Sequence, residues 1–213
     1  MSLISPFNKI RRFWFNEITG DCTIVVMGPY REAIQQYREE IIQYPEHHLV
    51  DLTFDSDPEM VLDTLRRYVQ EQQSSDYADR HVSIIIENIT QSQFNSIDNE
   101  LYVIFRDRKR FRMSVVITAV NLLEKMESLI VNVDYFVTWP KNRSLNELRK
   151  LHVWFHMWIF DFEDFKSCVD SLPDLDIALV TTKNALKWYR IVSLVEPLES
   201  KENNIYLHEK RNC

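Results

Sequence analysis

Eight residues, Gly28-Pro29-Tyr30-Arg31-Glu32-Ala33-Ile34-Gln35, stand between a buried-strand pattern and a helix pattern. In a parallel α/β sheet that is where phosphate is cradled. The sequence that does this chemistry is G-x-x-x-x-G-K-[ST]. Laid over the window without a gap, only Gly28 matches, at the first glycine. Ala33 stands at the second glycine, Ile34 at the lysine that reaches the β- and γ-phosphates, and Gln35 at the hydroxyl that binds magnesium. A phosphate nest turns successive backbone N–H groups inward, which favours glycine and small residues. Tyr30, Arg31 and Glu32 are bulky, and Glu32 brings negative charge toward a triphosphate. Arg31 offers a phosphate ligand from another direction; the plainer reading is a Gly28-Pro29 turn followed by an ordinary helix.

Two further segments carry candidate chemistry. Val82 to Ile86 is an apolar run that ends in Glu87-Asn88, where two acidic residues would hold magnesium and orient water. Glu87 is the remaining metal candidate, with a solvated strand end as the alternative. Residues 106–112 hold five basic side chains in seven, Arg106, Arg108, Lys109, Arg110 and Arg112, interleaved with Phe105 and Phe111. Such a run reads as a nucleic-acid contact, an arginine finger or a solvated basic loop. His47-His48 and the i, i+4 pair His152 and His156 invite a metal reading, but no acid or cysteine completes a ligand set. The sequence therefore predicts packing histidines and no metal site.

The elements that must position these residues alternate. Strands are expected over 23–27, 48–54, 81–86, 113–119 and 131–138, and helices over 31–43, 59–73, 97–106, 121–129, 145–160 and 162–171. Residues 177–182 and 186–192 read as a closing antiparallel hairpin. β-Branched runs buried on both faces predict a three-layer αβα sandwich with a mainly parallel sheet and the hairpin at one edge. The aromatic-rich stretch 154–162 reads as a core helix or a partner-binding face. No repeat divides the chain. The expected organisation is an N-terminal extension over 1–20, one domain over 21–195 and a polar tail over 196–213.

Composition narrows the function classes. A net charge of −7 argues against broad, nonspecific binding of nucleic acid or membrane, leaving only a local basic patch for either. Three scattered cysteines predict reduced thiols, and no apolar run is long enough to span a bilayer, so an intracellular, non-secreted protein is expected. Only two glycines occur, Gly20 and Gly28, where average usage would give about fifteen. Close backbone approach to a phosphate is thus available at one or two points only.

Taken in order, these segments resemble the genome-packaging ATPases of large double-stranded DNA viruses, within the FtsK/HerA group of P-loop NTPases. The strand ending at Gly28-Pro29 is similar to their Walker A start, Met60 to Gln70 to the helix before Walker B, and Val82 to Asn88 to Walker B itself. Phe105 to Ser114 resembles the family's basic loop, with Arg108-Lys109-Arg110 where a glycine would precede Arg-His. Ser114 to Val120 resembles the following strand, with Val120 at its polar sensor. Asn132 to Val137, Phe165 to Cys168, Ile177 to Val180 and Lys187 to Arg190 continue the likeness to the closing hairpin. The departures gather at the chemistry, in Ala33, Ile34, Gln35, Asn88 and Val120.

The resemblance implies a virus-encoded protein in the host cytoplasm or virion. Its partners would be viral or virion proteins, copies of itself in a ring, or DNA through residues 106–112. The expectation is a catalytically inactive member without cofactor, retained for assembly or interaction. The alternatives are a divergent active ATPase using Mg-ATP, with Glu87 on magnesium and Arg31 or a neighbouring subunit's Lys109 or Arg110 in place of the lysine, and a nucleic-acid-binding module.

Overall fold

The computed structural model describes residues 11–13, 20–28, 31–43, 47–53, 58–74, 80–121, 124, 126–141, 143–155, 161–172, 177–182 and 185–191. Pro29, Tyr30, Asp57, residues 156–160 of the aromatic stretch, the hairpin connector and the tail over 196–213 lie outside them. In chain order the strands are β1 (Arg11–Phe13), β2 (Thr23–Met27), β3 (His47–Thr53), β4 (His81–Glu87), β5 (Met113–Ala119), β6 (Tyr135–Thr138), β7 (Ile177–Thr182) and β8 (Ala185–Ile191). The helices are α1 (Arg31–Ile42), α2 (Pro58–Gln73), α3 (Gln91–Phe111), α4 (Glu127–Ile130), α5 (Leu145–Phe155) and α6 (Phe162–Asp170).

One eight-stranded sheet has the order β1-β8-β7-β6-β2-β5-β4-β3. All neighbours are parallel except β6–β7 and β7–β8, so β7 alone runs against the rest. The αβα architecture expected from the sequence is present. Two details differ. The short β1 comes from the anticipated N-terminal extension and pairs with β8, so the hairpin lies inside the sheet rather than at its rim. Three residues, Arg-Arg-Phe, carry no alternation that could have signalled it.

Alternate residues of the central strands feed two cores. Ile24, Val26, Ile85, Val116 and Val137 pack with Ile34, Tyr37 and Ile41 of α1 on one face. Val25, Met27, Ile84, Ile86, Val115 and Ile117 pack on the other face with residues of α2, α3, α5 and α6.

Helix α3 is the best-punctuated element. Thr90 caps it: the Gln93 amide donates to the Thr90 side chain, and the Gln93 side chain accepts from the Thr90 amide, a capping box. It ends at Arg112 with φ 47°, a left-handed cap. Three basic residues in the last turn, Arg108, Lys109 and Arg110, offset the negative end of the helix dipole. The sequence reading ended this helix at 106 and put a basic loop after it; the segment is instead the helix's last turns. Helix α4, expected over 121–129, is a single turn at Glu127–Ile130.

Candidate functional site: the carboxyl rim of β2, β5 and β6

The candidate site lies where β2, β5 and β6 end side by side. Gly28 follows β2, takes φ 143° and donates its amide to Ala119 O at 2.9 Å. Trp139 follows β6 directly and is 6% exposed. Its ring lies so close that a Cβ on Gly28 would meet Trp139 Cε3 at 2.7 Å. That distance is shorter than van der Waals contact permits, so only glycine fits under this indole.

Arg143 closes the same rim. Its Nη2 donates to Met27 O at 3.1 Å and to Val120 O at 3.4 Å, and its Nε to Trp139 O at 3.4 Å. Its Nη1 donates to Glu147 Oε1 at 3.0 Å. Glu147 is itself fixed by a second capping box, because its Oε2 accepts from the Ser144 amide and hydroxyl, both at 2.9 Å. Burial works to raise the Glu147 carboxyl, but the Ser144 and Arg143 donors outweigh it and leave it below the usual carboxylate range. The guanidinium thus spends its donors on the strand-end carbonyls and on one carboxylate.

The residues assigned by sequence to phosphate chemistry sit elsewhere. Helix α1 has already begun at Arg31, three residues past Gly28, whereas the working pattern keeps four residues between its glycines and the lysine beyond them. Ile34 is fully buried beneath the sheet among Ile24, Val26 and Tyr37. Gln35 is exposed and donates to Glu39 Oε1 at 2.7 Å, one turn on. Ala33 falls inside α1 rather than in a loop.

Glu87 ends β4 with its carboxylate held by Arg38 of α1, whose guanidinium also forks onto Asp51 Oδ1 at 2.9 and 3.1 Å. Burial opposes the Arg38 charge, but bonds to Asp51 and Glu87 prevail and raise its pKa further above neutral. Asn88 turns left-handed at φ 55° and donates its amide to Thr118 Oγ1 at 2.8 Å. Val120, expected from the resemblance to stand at a polar sensor, presents an exposed aliphatic side chain. These residues do not fit a magnesium–nucleotide complex: the helix starts before the lysine position, the residue at that position is in the core, and the acid is committed to an arginine.

The basic run does not stay together either. Arg108 is buried; its Nη1 donates to Phe105 O at 2.7 Å and its Nη2 pairs with Asp134. Arg106 forks onto Asp107 at 2.7 and 3.1 Å. Lys109, Arg110 and Arg112 are exposed at the end of α3, on the amino side of the sheet and away from the rim. His152 packs against the Phe162 and Phe165 rings, and no group of three metal-ligating residues forms among the described residues.

Similarity to known proteins is confined to structure. No protein-family model matches the sequence, and no curated protein matches it. The genome packaging NTPase of Sulfolobus turreted icosahedral virus 2, solved with ATP-gammaS, superposes with a TM-score of 0.52 at 13% identity, over 80% of this chain and 97% of that one. The two chains share a fold. The type VII secretion ATPase EccC of Thermomonospora curvata gives 0.54 at 11% identity, over 87% of this chain but only 27% of its own length. EssC of Geobacillus thermodenitrificans gives 0.53 at 10% identity, over 85% and 41%. On this frame, sequence reasoning located the rim through Gly28 and Glu87 but missed Trp139 and Arg143. The signal for the second was the Ser144-x-x-Glu147 box, which fixes a helix start beside the rim.

Proposed function

We propose that this protein is a non-catalytic relative of the packaging ATPases, kept as an assembly or interaction component of a virus. The observation that carries the proposal is the Trp139 indole seated on Gly28. A phosphate needs open backbone N–H groups at that turn, and here the Gly28 amide is already bound to Ala119 O, an indole lies against the Gly28 Cα, and Arg143 donates to the neighbouring carbonyls. The buried Ile34 and the Arg38-bound Glu87 support the same reading. The divergent-ATPase alternative would require Glu87 to leave Arg38 for magnesium.

The test is thermal stability with and without millimolar Mg-ATP and Mg-ADP, for the wild type and Glu87→Ala. A ligand that binds the native state raises its stability according to concentration over Kd. The expected result is no shift in either protein. A magnesium-dependent shift that vanishes in Glu87→Ala would overturn the proposal and favour the active alternative.

One observation favours a second reading. Lys109, Arg110 and Arg112 are exposed together on a chain of net charge −7. Contact with nucleic acid through them would weaken steeply as salt rises. Retention of binding at high salt, or in a Lys109→Glu, Arg110→Glu variant, would remove that reading.

A further inference from the structure

One edge of the sheet brings together cations from opposite ends of the chain. β1 is Arg11-Arg12-Phe13, and β8 is Ala185-Leu186-Lys187-Trp188-Tyr189-Arg190-Ile191. They pair in parallel, with Arg11 opposite Tyr189, Arg12 opposite Arg190 and Phe13 opposite Ile191. β7 lies on the other side of β8 and reads Ile177-Ala178-Leu179-Val180-Thr181-Thr182. These three strands hold four cations, three aromatic residues and no acid, on a chain of net charge −7.

Register sorts the residues by face. Partners on adjacent strands share a face, as do residues two apart on one strand. Arg190 is also opposite Ile177, and Trp188 is opposite Leu179. Arg12, Arg190 and Trp188 are therefore on the face where Ile177 and Leu179 join the larger core. Arg11, Lys187 and Tyr189 are on the face of Ala178 and Val180.

Opposing Arg12 and Arg190 is costly for the chain alone. Adjacent strands run about 4.8 Å apart, and like charges at opposed positions are destabilising. Charge on an outermost strand does guard a sheet against edge-to-edge aggregation. That accounts for Arg11 and Arg12. It does not account for Lys187, Trp188 or Arg190, because β8 is paired on both sides. An anion shared by two opposed arginines turns their repulsion into attraction. An aromatic residue two positions along the strand suits an anion that carries flat bases.

We infer that the β1–β8 edge binds single-stranded nucleic acid, with a phosphate taken by Arg12 and Arg190 and a base stacked on Trp188. This site is separate from the end of α3. Strands β7, β6 and β2 stand between β8 and β5, the strand that α3 leads into. Lys109, Arg110 and Arg112 play no part in it, and it does not depend on whether the Gly28 turn accepts nucleotide.

The probe is a fluorescein-labelled oligothymidine of about 20 nucleotides, longer than the roughly 4–16 that a single-strand site occupies. Binding to the full chain is read by anisotropy. The expected result is binding that weakens as salt rises, in the wild type and in Lys109→Glu, Arg110→Glu alike. Arg12→Gln, Arg190→Gln should bind at least about tenfold more weakly, with a salt slope shallower by about 0.7 for the phosphate released. Trp188→Leu should lose roughly tenfold with the slope unchanged. A duplex of the same length, whose bases are already stacked, should bind more weakly than the single strand.

The stability of the free protein is a second readout. Arg12→Gln removes a repulsion, so the folding constant should stay level or rise. A tenfold fall would show that the pair is satisfied within the chain and would overturn the inference. So would equal affinity in the wild type and the double-arginine variant, loss of binding in the α3 variant, equal or tighter binding of the duplex, or capture by phosphatidylserine vesicles and not by the oligonucleotide. If the double variant does not fold, a bromouracil-substituted oligonucleotide cross-linked to the wild type decides. Labelling of the peptide that holds Trp188 and Tyr189 supports the site; labelling confined to α3, or none, overturns it.

Discussion

Arg108 and Asp134 form an ion pair that joins the end of α3 to the start of β6, across the sheet's amino side. Arg108 is almost wholly enclosed, and Asp134 uses its other oxygen to accept from the Thr23 amide at 2.9 Å and hydroxyl at 3.1 Å. The Asp134 amide in turn donates to Thr23 Oγ1 at 3.0 Å. Three elements therefore depend on two charges.

Removing one partner strands the other in the interior, which typically costs about 3–5 kcal/mol. Asp134→Ala and Arg108→Ala should each lose stability on that scale in urea unfolding. The double variant Arg108→Met, Asp134→Leu should lose less than the two singles combined, because no charge is left unpaired. Equal additivity would show the pair to be uncoupled.

Gly28 and Trp139 make a second coupled pair. Gly28→Ala meets both the indole and a backbone angle of 143° that L side chains rarely adopt, and should cost about 1–3 kcal/mol. Trp139→Ala leaves a cavity and should cost about 3–5 kcal/mol. Combined, they should cost less than their sum, since the clash disappears with the ring. A double-mutant cycle read by denaturant midpoints checks the sign.

The Ser144–Glu147 capping box predicts an acid dependence. The Glu147 carboxyl sits below its ordinary value, so its contribution is present above that value and is lost as pH falls through the depressed one. Glu147→Gln should therefore flatten the low-pH limb of the stability curve, and Ser144→Ala should cost about 1 kcal/mol at neutral pH. Urea unfolding between pH 2.5 and 7 measures both.

Thiol reactivity gives a further check. Burial pushes the Cys22 thiol up to about 12, with Ser114 drawing it down only slightly. The thiolate is the reactive form, so Cys22 should resist a disulfide reagent at pH 8 in the native protein and react on unfolding. The half-buried Cys168 is raised as well, by burial and then Asp164, and should react more slowly than a free thiol. Because folding holds the Cys22 proton, its stabilising share is full below the ordinary thiol value and is lost as pH rises through about 12.

The central strands were legible because their chemistry is local. Thr23–Met27 and Met113–Ala119 are continuous apolar or β-branched runs that a strand buried on both faces requires. The end of α3 was not legible. Its core face runs Leu101, Ile104, Phe105, Arg108, Phe111, a helical spacing interrupted by a cation. That arginine belongs to the core only because Asp134, 26 residues later, meets it. The contacts at the rim were hidden for the same reason: Trp139 and Arg143 reach Gly28 and Met27 across more than a hundred residues of chain. Window patterns report what a residue prefers, not which distant partner will be brought to it.

Left-handed backbone occurs at four places among the described residues: Gly20, Gly28, Asn88 and Arg112. Gly20 and Gly28 bracket β2; Asn88 closes β4, and Arg112 opens β5. The chain has thus committed both of its glycines to its middle strand and made the other two reversals with side chains that resist them. A substitution at Gly20 should therefore meet only the backbone angle and one at Gly28 the angle and the indole together, while Asn88 and Arg112 are two positions where a new glycine would relieve the backbone.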